Sequence, residues 1–517
     1  MPNHQIDVLF QLIKSLTKAE KRNFKLYATR NQSGIDLKFV QLFDVLDKQK
    51  AFDEDLVFKK LPQLKKQQFS NLKRHLYKQI LASLRLIHAQ KNIDIELREQ
   101  LDYMRILYNK GLFLQSLKLL DRAKQIAKDN HQDILHLEIL EFEKMIESRH
   151  ITRSIGNRAA VLSAESNIRM KAIQGVSHLT NLGLQLYSMY IKIGHVRSAK
   201  DVLMIQELFE QKLKEEAAKK RTFFEKVYLC QAYVWYYYIL QDFAHCYKYA
   251  QKWVDLFKQN PQMIKRDLDL YMRGYNNLLS TLYLSAYASK LRFYLEELEA
   301  FIAKKESVFS ENSRIIAFLY LNMARFNQYF LEGRFTDGLA WVGDLEQELL
   351  QMEAQKEIDS HRILVFYYKI GSLYFSSGNN ARAIDFLNKI VQSNVGNLRE
   401  DIQCYARMLL LIAHYELGNY DLLEYLVKSV YRFLRKMEDL NEVQKEVLLF
   451  LRKALYCNPN ELLPLFEKLR LSLLKWVDHP YEKRSFLYLD IISWLESKIE
   501  NRPVEEVIRA KYLETKR

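Results

Sequence analysis

Histidines and carboxylates are the first candidates for chemistry in this sequence, and their spacing does not favour catalysis or metal binding. His131 and His136 are five residues apart, so they do not share a helix face well enough to chelate a metal ion. Carboxylate pairs such as Glu296 and Glu297 have basic neighbours, which is typical of a solvated helix face. The sequence contains no phosphate-binding glycine loop, dinucleotide fingerprint, zinc-peptidase motif or nucleophile elbow. We therefore predict no catalytic residue, no metal, no cofactor and no enzyme activity.

Positive charge is concentrated at the start of the chain. The net charge is +15, and residues 1–90 contain 17 Lys and Arg against 8 Asp and Glu. The candidates for binding an anion or nucleic acid lie on two predicted helices, one starting after Thr17 and one at Pro62: Lys18, Lys21, Arg22, Lys25, Lys73, Arg74, Lys78 and Arg85. A basic end on a nearly neutral body favours an anionic partner, and a solvated basic face is the alternative. No short turn with a recognition helix accompanies these residues, so direct base reading is not predicted.

The elements that must position these residues are helices. Only 14 glycines and 7 prolines occur in 517 residues, too few for the tight connections of a β-sandwich or a glycine-rich nucleotide-binding fold. A hydrophobic fraction of 49% excludes general disorder. Thr17 and Glu20 form a capping-box pattern at the start of one helix. The composition predicts an all-α fold.

The cysteines and the apolar runs indicate the compartment. Four cysteines lie far apart, without the spacing of a disulfide framework or a zinc module. The longest apolar run, Ala232 to Leu240, is about half a membrane span. No basic segment followed by an apolar stretch stands at the N-terminus, so no signal peptide is predicted. We expect a soluble, cytoplasmic protein.

From about residue 91, pairs of amphipathic helices alternate with short turns. The predicted turns are centred on Gly111, Gly194, Gln241, Ala286, Gly333, Gly378 and Gly418. After the first interval of 83 residues, which predicts a weakly marked turn near Gly156, the intervals range from 40 to 47. A regular period of helical hairpins is typical of an α-solenoid, because each hairpin has an apolar face that only a neighbour can bury.

One segment carries a specific family resemblance. From Tyr367 to Val395, the order of an aromatic residue, the Ile370–Gly371 pair, Tyr374, the turn glycine and Ala383 resembles a tetratricopeptide repeat. The resemblance implies a helical hairpin in which Gly371 lets the two helices approach closely. Val395 stands where the family closes the repeat with proline. As a whole, the chain resembles uncharacterised tetratricopeptide-like proteins of Bacteroidota, a resemblance that implies no biochemical activity.

The resemblance also implies a concave groove lined by the first helix of each hairpin. Tyrosines are frequent on these helices, and a tyrosine offers apolar area together with a hydroxyl group. Asn327 matches a groove position at which such proteins bind the backbone of a ligand. The candidates for holding a peptide or a partner helix are Asn322, Arg325, Asn327, Tyr329, Tyr367 and Tyr374. Packing between helices is the alternative role for each tyrosine.

Together these patterns predict three regions and two possible functions. Residues 1–90 form a basic helical domain, residues 91–435 a right-handed helical repeat array, and residues 436–517 a helical cap with helices near 441–457, 460–476 and 481–500. We expect a non-enzymatic interaction scaffold that binds a protein segment in the groove around residues 270–420. The alternative is a regulator that binds nucleic acid through residues 1–90 and senses a peptide through the array. Self-association is also compatible with the pattern.

Overall fold

The computed structural model describes residues 7–30, 38–89, 92–150, 157–214, 221–355, 357–393, 396, 398–437 and 440–514. Throughout this part of the chain, the regular structure is helical, which confirms the all-α fold. The chain divides into two compact units, Met1–Ile173 (unit 1) and Gln174–Arg517 (unit 2), and the division lies within helix α9 (Arg158–Ile193). The region boundaries near residues 90 and 435 stay predictions.

Unit 1 contains eight helices before α9 in the part that is described. They are α1 (Val8–Ser15), α2 (Lys18–Thr29), α3 (Lys38–Lys48), α4 (Glu54–Lys60), α5 (Lys66–His88), α6 (Ile93–Asn109), α7 (Phe113–Asp129) and α8 (Asp133–Arg149). Two hydrophobic clusters hold them, one among α1–α5 and one among α6–α8. The capping box of α2 is present, because Glu20 Oε2 accepts from Thr17 N at 2.8 Å and Thr17 Oγ1 accepts from Glu20 N at 3.3 Å.

Helix α5 begins four residues after the predicted start at Pro62. The preceding residues form a turn in which Leu64 N donates to Leu61 O at 2.9 Å. Both leucines of this turn are buried in the cluster around α1–α5. Burying two leucines side by side requires a turn here, and this outweighs the tendency of proline to begin a helix.

Unit 2 is an array of paired helices. After α9 they are α10 (Ala199–Lys214), α11 (Phe223–Ile239), α12 (Phe243–Gln259), α13 (Pro261–Arg266), α14 (Leu268–Leu284), α15 (Ala288–Lys305), α16 (Glu311–Glu332), α17 (Phe335–Ala354), α18 (Ser360–Ser376), α19 (Asn380–Gln392), α20 (Glu400–Glu416), α21 (Tyr420–Lys436), α22 (Glu442–Ala454), α23 (Pro459–Leu474), α24 (Arg484–Tyr488), α25 (Ile491–Ile499) and α26 (Val504–Glu514). Helices α14, α16, α18, α20 and α22 each contact the next of this set as well as their own hairpin partners. They form one layer of the array, as stacking of hairpins requires.

The seven turn positions predicted from the sequence all adopt left-handed backbone conformations, with φ between 56° and 86°. Five of them are glycine, which accepts this conformation without a steric penalty. Gln241 and Ala286 adopt it at φ 62° and 56° although they carry a Cβ atom. His131, between α7 and α8, is a further such turn that has no glycine signal, with φ 52°. The turn predicted near Gly156 lies outside the described residues.

The α18–α19 hairpin has the close packing that the family resemblance implies. A Cβ atom on Gly371 would lie 3.2 Å from the side chain of Leu387 on α19. The rings of Tyr367 and Tyr374 both lie 5.9 Å from the ring of Phe386. The small residue therefore brings the helices together, and the tyrosines fill the space beside it.

The C-terminal helices return along the array rather than extending it. The hydroxyl of Tyr368 on α18 donates to the backbone oxygen of Tyr488 at 2.9 Å, and Arg509 Nη1 donates to Glu332 O at 3.0 Å. The helix predicted near 481–500 is divided into α24 and α25. Leu489 is extended between them, and the side chain of Asp490 caps α25 by accepting from Ser493 N at 3.0 Å. Among the described residues, no helix is long and apolar enough to cross a membrane.

Candidate functional site

Unit 2 contains a cavity of about 700 Å³. One wall consists of residues on α9, α11, α14, α16, α18 and α20. The other wall is formed by residues 486–490 together with Val504 and Ile508, from the returning C-terminal helices. The site is therefore a space between the array and its own C-terminal segment, and its volume is within the range of ligand pockets.

Lys369 on α18 is the central polar residue of this cavity. Its ammonium donates to Asn327 Oδ1 at 3.0 Å. It lies 4.7 Å from the ring centre of Tyr283 and 4.9 Å from that of Phe330, where α14, α16 and α18 meet. Removal from water lowers the pKa of Lys369 to about 8, because burial disfavours the charged amine. Cation–π attraction to the two aromatic faces offsets part of the free-energy cost of burying the ammonium.

Three arginines also line the cavity, and they differ in how they are paired. Arg362 forms an ion pair with Asp359 at 3.0 Å, and Arg399 is bound by Asp401. Arg273 makes no hydrogen bond or ion pair with the described residues.

Histidine and tyrosine side chains give the rest of the lining its polar character. Burial lowers the pKa of His195 and of His361 to about 4, so both are neutral at pH 7. Burial raises the pKa of Tyr283 to about 12, so it remains a phenol. His195 contacts the backbone oxygen of Tyr238 at 2.9 Å. The lining thus offers neutral hydrogen-bonding groups and aromatic faces around a small number of cations.

Of the groove residues predicted from the sequence, the structure places Asn327 in the cavity wall. Asn322 is buried on the same helix, α16. Arg325 lies elsewhere and pairs with Glu299, with Nε and Oε1 3.0 Å apart. The cavity and the predicted set therefore overlap at a single residue.

The three predicted groove tyrosines lie away from the cavity and pack between helices. Tyr329 stacks on Trp341 with 5.9 Å between ring centres. Tyr367 donates its hydroxyl to Glu353, and Tyr374 donates to Glu346 Oε1 at 2.7 Å. Their binding role stays a prediction, and their observed contacts are those of packed residues.

Lys369 and Arg273 were not among the sequence candidates, although Lys369 carries a signal. It is the single charged residue between Ile363 and Ser376, a segment otherwise rich in aliphatic and aromatic residues. A lone cation in such a segment is costly to bury, and this cost points to a function. Arg273 has no comparable signal, because its local sequence reads as an ordinary helix face.

The basic candidates of unit 1 fall into two groups. Four are paired with carboxylates: Lys21 with Asp47 at 2.7 Å, Lys25 with Asp44 at 2.6 Å, Lys73 with Asp7 at 2.7 Å and Arg85 with Asp102 at 2.8 Å. The other four are exposed and make no ion pair with the described residues: Lys18, Arg22, Arg74 and Lys78. Half of the predicted basic surface is thus already neutralised within the unit.

Comparison with known proteins gives no family assignment. No family model matches the chain, and no curated protein matches it. The class that can be stated is therefore structural: an all-α protein whose second unit is a repeat-like array of helical hairpins around a cavity. The tetratricopeptide resemblance continues to depend on the residues of the α18–α19 hairpin.

Proposed function

We propose that this protein is a non-enzymatic interaction scaffold that binds a short segment of a partner protein in the cavity of unit 2. The observation that carries the proposal is the cavity itself, which is lined by tyrosines and by the inner layer of the array. A helix is about 10–12 Å wide with its side chains, so about 700 Å³ accommodates little more than one turn. An extended segment that inserts a few side chains fits better than a whole helix.

Site-specific photocrosslinking tests this proposal. A photoreactive phenylalanine analogue in place of Leu184, which lines the cavity and is 65% exposed, is expected to crosslink one continuous segment of a partner. Leu471 on α23 is the matched control, because it is 62% exposed and lies outside the cavity lining. A synthetic peptide of the crosslinked segment should then bind the purified protein. Equal crosslinking from both positions, or no binding by the peptide, contradicts the proposal.

Nucleic-acid binding by unit 1 is a second candidate, favoured by the four cations on α2 and α5 that form no ion pair with described residues. Lys18 and Arg22 are four residues apart, as are Arg74 and Lys78, so each pair lies on one helix face. Binding through these residues is expected to weaken steeply as salt concentration rises.

Charge reversal distinguishes the two groups of cations in this candidate function. Changing Lys18, Arg22, Arg74 and Lys78 to Glu should abolish binding to duplex DNA and RNA measured by fluorescence anisotropy. Changing Lys21, Lys25 and Lys73 to Gln should have a much smaller effect, because Asp47, Asp44 and Asp7 already neutralise them. Unchanged affinity after the fourfold reversal contradicts a nucleic-acid role.

A further inference from the structure

The cavity contains a cation, Lys369, for which the described part of the chain supplies no anionic partner. Among the described residues, no carboxylate lies within ion-pair distance of Lys369, and its hydrogen-bond acceptor is the neutral amide of Asn327. Lys369 is half-buried. Lysines removed from water are normally paired, because an unpaired charge in a low-dielectric site is costly. The site therefore lacks one negative charge.

The surrounding groups increase the excess of donors. Arg273 lies on α14, four residues before Asn277, whose buried side-chain nitrogen has no hydrogen-bond partner among the residues that the structure describes. Asp490 is the single acidic residue among the described residues of the lining, and one of its carboxylate oxygens already accepts the hydrogen bond that caps α25. Unused donors beside an unpaired cation favour a ligand that is rich in acceptors and negatively charged.

The other property of the cavity is its aromatic surface. Tyr283 and Phe330 lie directly against Lys369, and Phe366 and Phe486 also line the space. A volume of about 700 Å³ matches small organic ligands, which typically occupy pockets of about 300–1,000 Å³. The charge requirement and the apolar walls together describe an amphipathic molecule.

We propose that the cavity binds a small amphipathic anion, whose carboxylate, sulfonate or phosphate group pairs with Lys369 while its apolar body packs against the aromatic walls. This goes beyond the proposed scaffold function, because the occupant is a free small molecule. The molecule excludes the segment of a partner protein, since both need the same space. The array is thereby a scaffold whose partner binding responds to a small ligand.

Two matched fluorescent probes test the charge requirement on the full-length protein. Anilinonaphthalene sulfonate carries an anionic group on an aromatic body, and phenylnaphthylamine is a similar aromatic amine without the sulfonate. We expect one sulfonate probe to bind per chain, and Lys369→Met to weaken its binding about tenfold or more, as for loss of a charged hydrogen bond. The neutral probe should bind the variant at least as well as the original protein.

A matched lysine controls for general surface effects. Lys389 on α19 lies 4.3 Å from the ring of Phe386 and outside the cavity lining, so Lys389→Met should leave both probes unchanged. The unfolding temperature of each variant shows whether it is folded. Equal sulfonate affinity in the Lys369 variant and the original protein overturns the proposal, as does an equal loss of both probes. If the protein binds both probes equally well, the proposal of an anionic ligand is wrong. The proposal that the cavity binds a partner segment would still stand.

The pH dependence provides an independent readout on the same protein. Lys369 loses its charge as the pH rises through about 8, so affinity for the sulfonate probe should fall between about pH 7 and pH 9.5. His361 and Tyr283, whose pKa values are about 4 and about 12, do not change charge in this range. The other ionisable groups of the cavity lining are Arg273, Arg362 with Asp359, Arg399 with Asp401, His195, Asp490 and seven further tyrosines, Tyr187, Tyr190, Tyr228, Tyr238, Tyr320, Tyr368 and Tyr488. The decrease should be absent for the neutral probe and in Lys369→Met, and a decrease in that variant contradicts the assignment.

Discussion

Arg399 holds Asp401 by two parallel hydrogen bonds, from Nε to Oδ1 at 2.8 Å and from Nη2 to Oδ2 at 2.7 Å. Both side chains are almost fully buried, and the hydroxyl of Tyr488 donates a third hydrogen bond to Asp401 Oδ2 at 2.5 Å. The pair therefore connects the start of α20 to the returning C-terminal segment. The adjacent guanidinium lowers the pKa of Asp401 below its ordinary value and offsets the effect of burial.

Breaking this pair is expected to be strongly destabilising. Asp401→Asn leaves Arg399 buried without a counter-charge, which should lower the free energy of unfolding by about 3–5 kcal/mol. Urea denaturation at pH 7 measures the change. Asp385→Asn is the matched control, because it removes an exposed partner of Arg382 and should cost less than about 1 kcal/mol. Similar losses of free energy of unfolding in the two variants would show that the buried pair contributes no more to stability than the exposed one.

The same pair predicts a dependence of stability on acid. Because the pKa of Asp401 is lower in the folded than in the unfolded protein, its contribution is complete above about pH 4. It is lost as the pH falls below that value towards the pKa of the folded state. Unfolding temperatures measured between about pH 6 and pH 3 should decrease less for Asp401→Asn than for the original protein, provided that both are still folded.

A second prediction concerns the contact between Gly333 and α26. A Cβ atom on Gly333 would lie 2.6 Å from Arg509 N, and the residue has φ 58°. Gly333→Ala should therefore displace α26 and cost about 2–3 kcal/mol, combining backbone strain with a clash. Gly378 has φ 86° and open space around it. Gly378→Ala should therefore lower the free energy of unfolding only by the backbone strain, about 1 kcal/mol. Thermal unfolding compares the two, and limited proteolysis should cut α26 faster in the Gly333 variant alone.

A third prediction is that Lys369 lowers the free energy of unfolding of the protein. At pH 7 it is charged in both the folded and the unfolded protein, and burial penalises the folded state. Lys369→Met should raise the free energy of unfolding by roughly 1 kcal/mol, after allowing for the lost hydrogen bond to Asn327. As the pH rises from about 8 to about 10.5, Lys369 loses its proton first in the folded protein. The free energy of unfolding of the original protein should therefore rise towards that of the variant. A variant that is less stable than the original at pH 7 contradicts this.

A fourth prediction concerns the turn before α15. Ala286 is exposed and adopts φ 56°, a conformation that costs an L-residue about 1 kcal/mol. Ala286→Gly should therefore be neutral or stabilising by up to about 1 kcal/mol, although glycine gains freedom in the unfolded chain. Ala300→Gly, at an exposed position in the interior of α15, should be destabilising by about 1 kcal/mol. Thermal unfolding of both variants tests whether the same substitution has opposite signs in the turn and in the helix.

Much of the architecture could be predicted from the sequence because it depends on local patterns. All seven turn positions and the capping box of Thr17 depend on residues a few positions apart, whereas the close approach of Gly371 to Leu387 was implied by the family resemblance. The division at Leu489 of the helix predicted near 481–500 could not be foreseen. It depends on where Tyr488 meets Asp401, 87 residues away in the chain.

The candidate site was harder to predict for the same reason. Tyr329, Tyr367 and Tyr374 satisfy the helical pattern equally well as groove or core residues, and only the fold reveals Trp341, Glu353 and Glu346 as their partners. The cavity is created by the C-terminal helices, whose return path has no sequence signal. Lys369 could have been singled out as a lone cation, but its position opposite Tyr283 could not.

The return of α24–α26 along the array has a consequence for biosynthesis. Ribosomes deliver the hairpins in order, so α14, α16 and α18 can stack while the C-terminal helices are still unmade. Until residues 484–514 follow, Tyr368 lacks its acceptor, Asp401 lacks the hydroxyl of Tyr488, and the space around Lys369 has only one wall. A nascent array therefore exposes its inner aromatic surface, and exposed surface of this kind is prone to aggregation before folding is complete. The proposed ligand would therefore find a complete cavity only after the last helices have closed it.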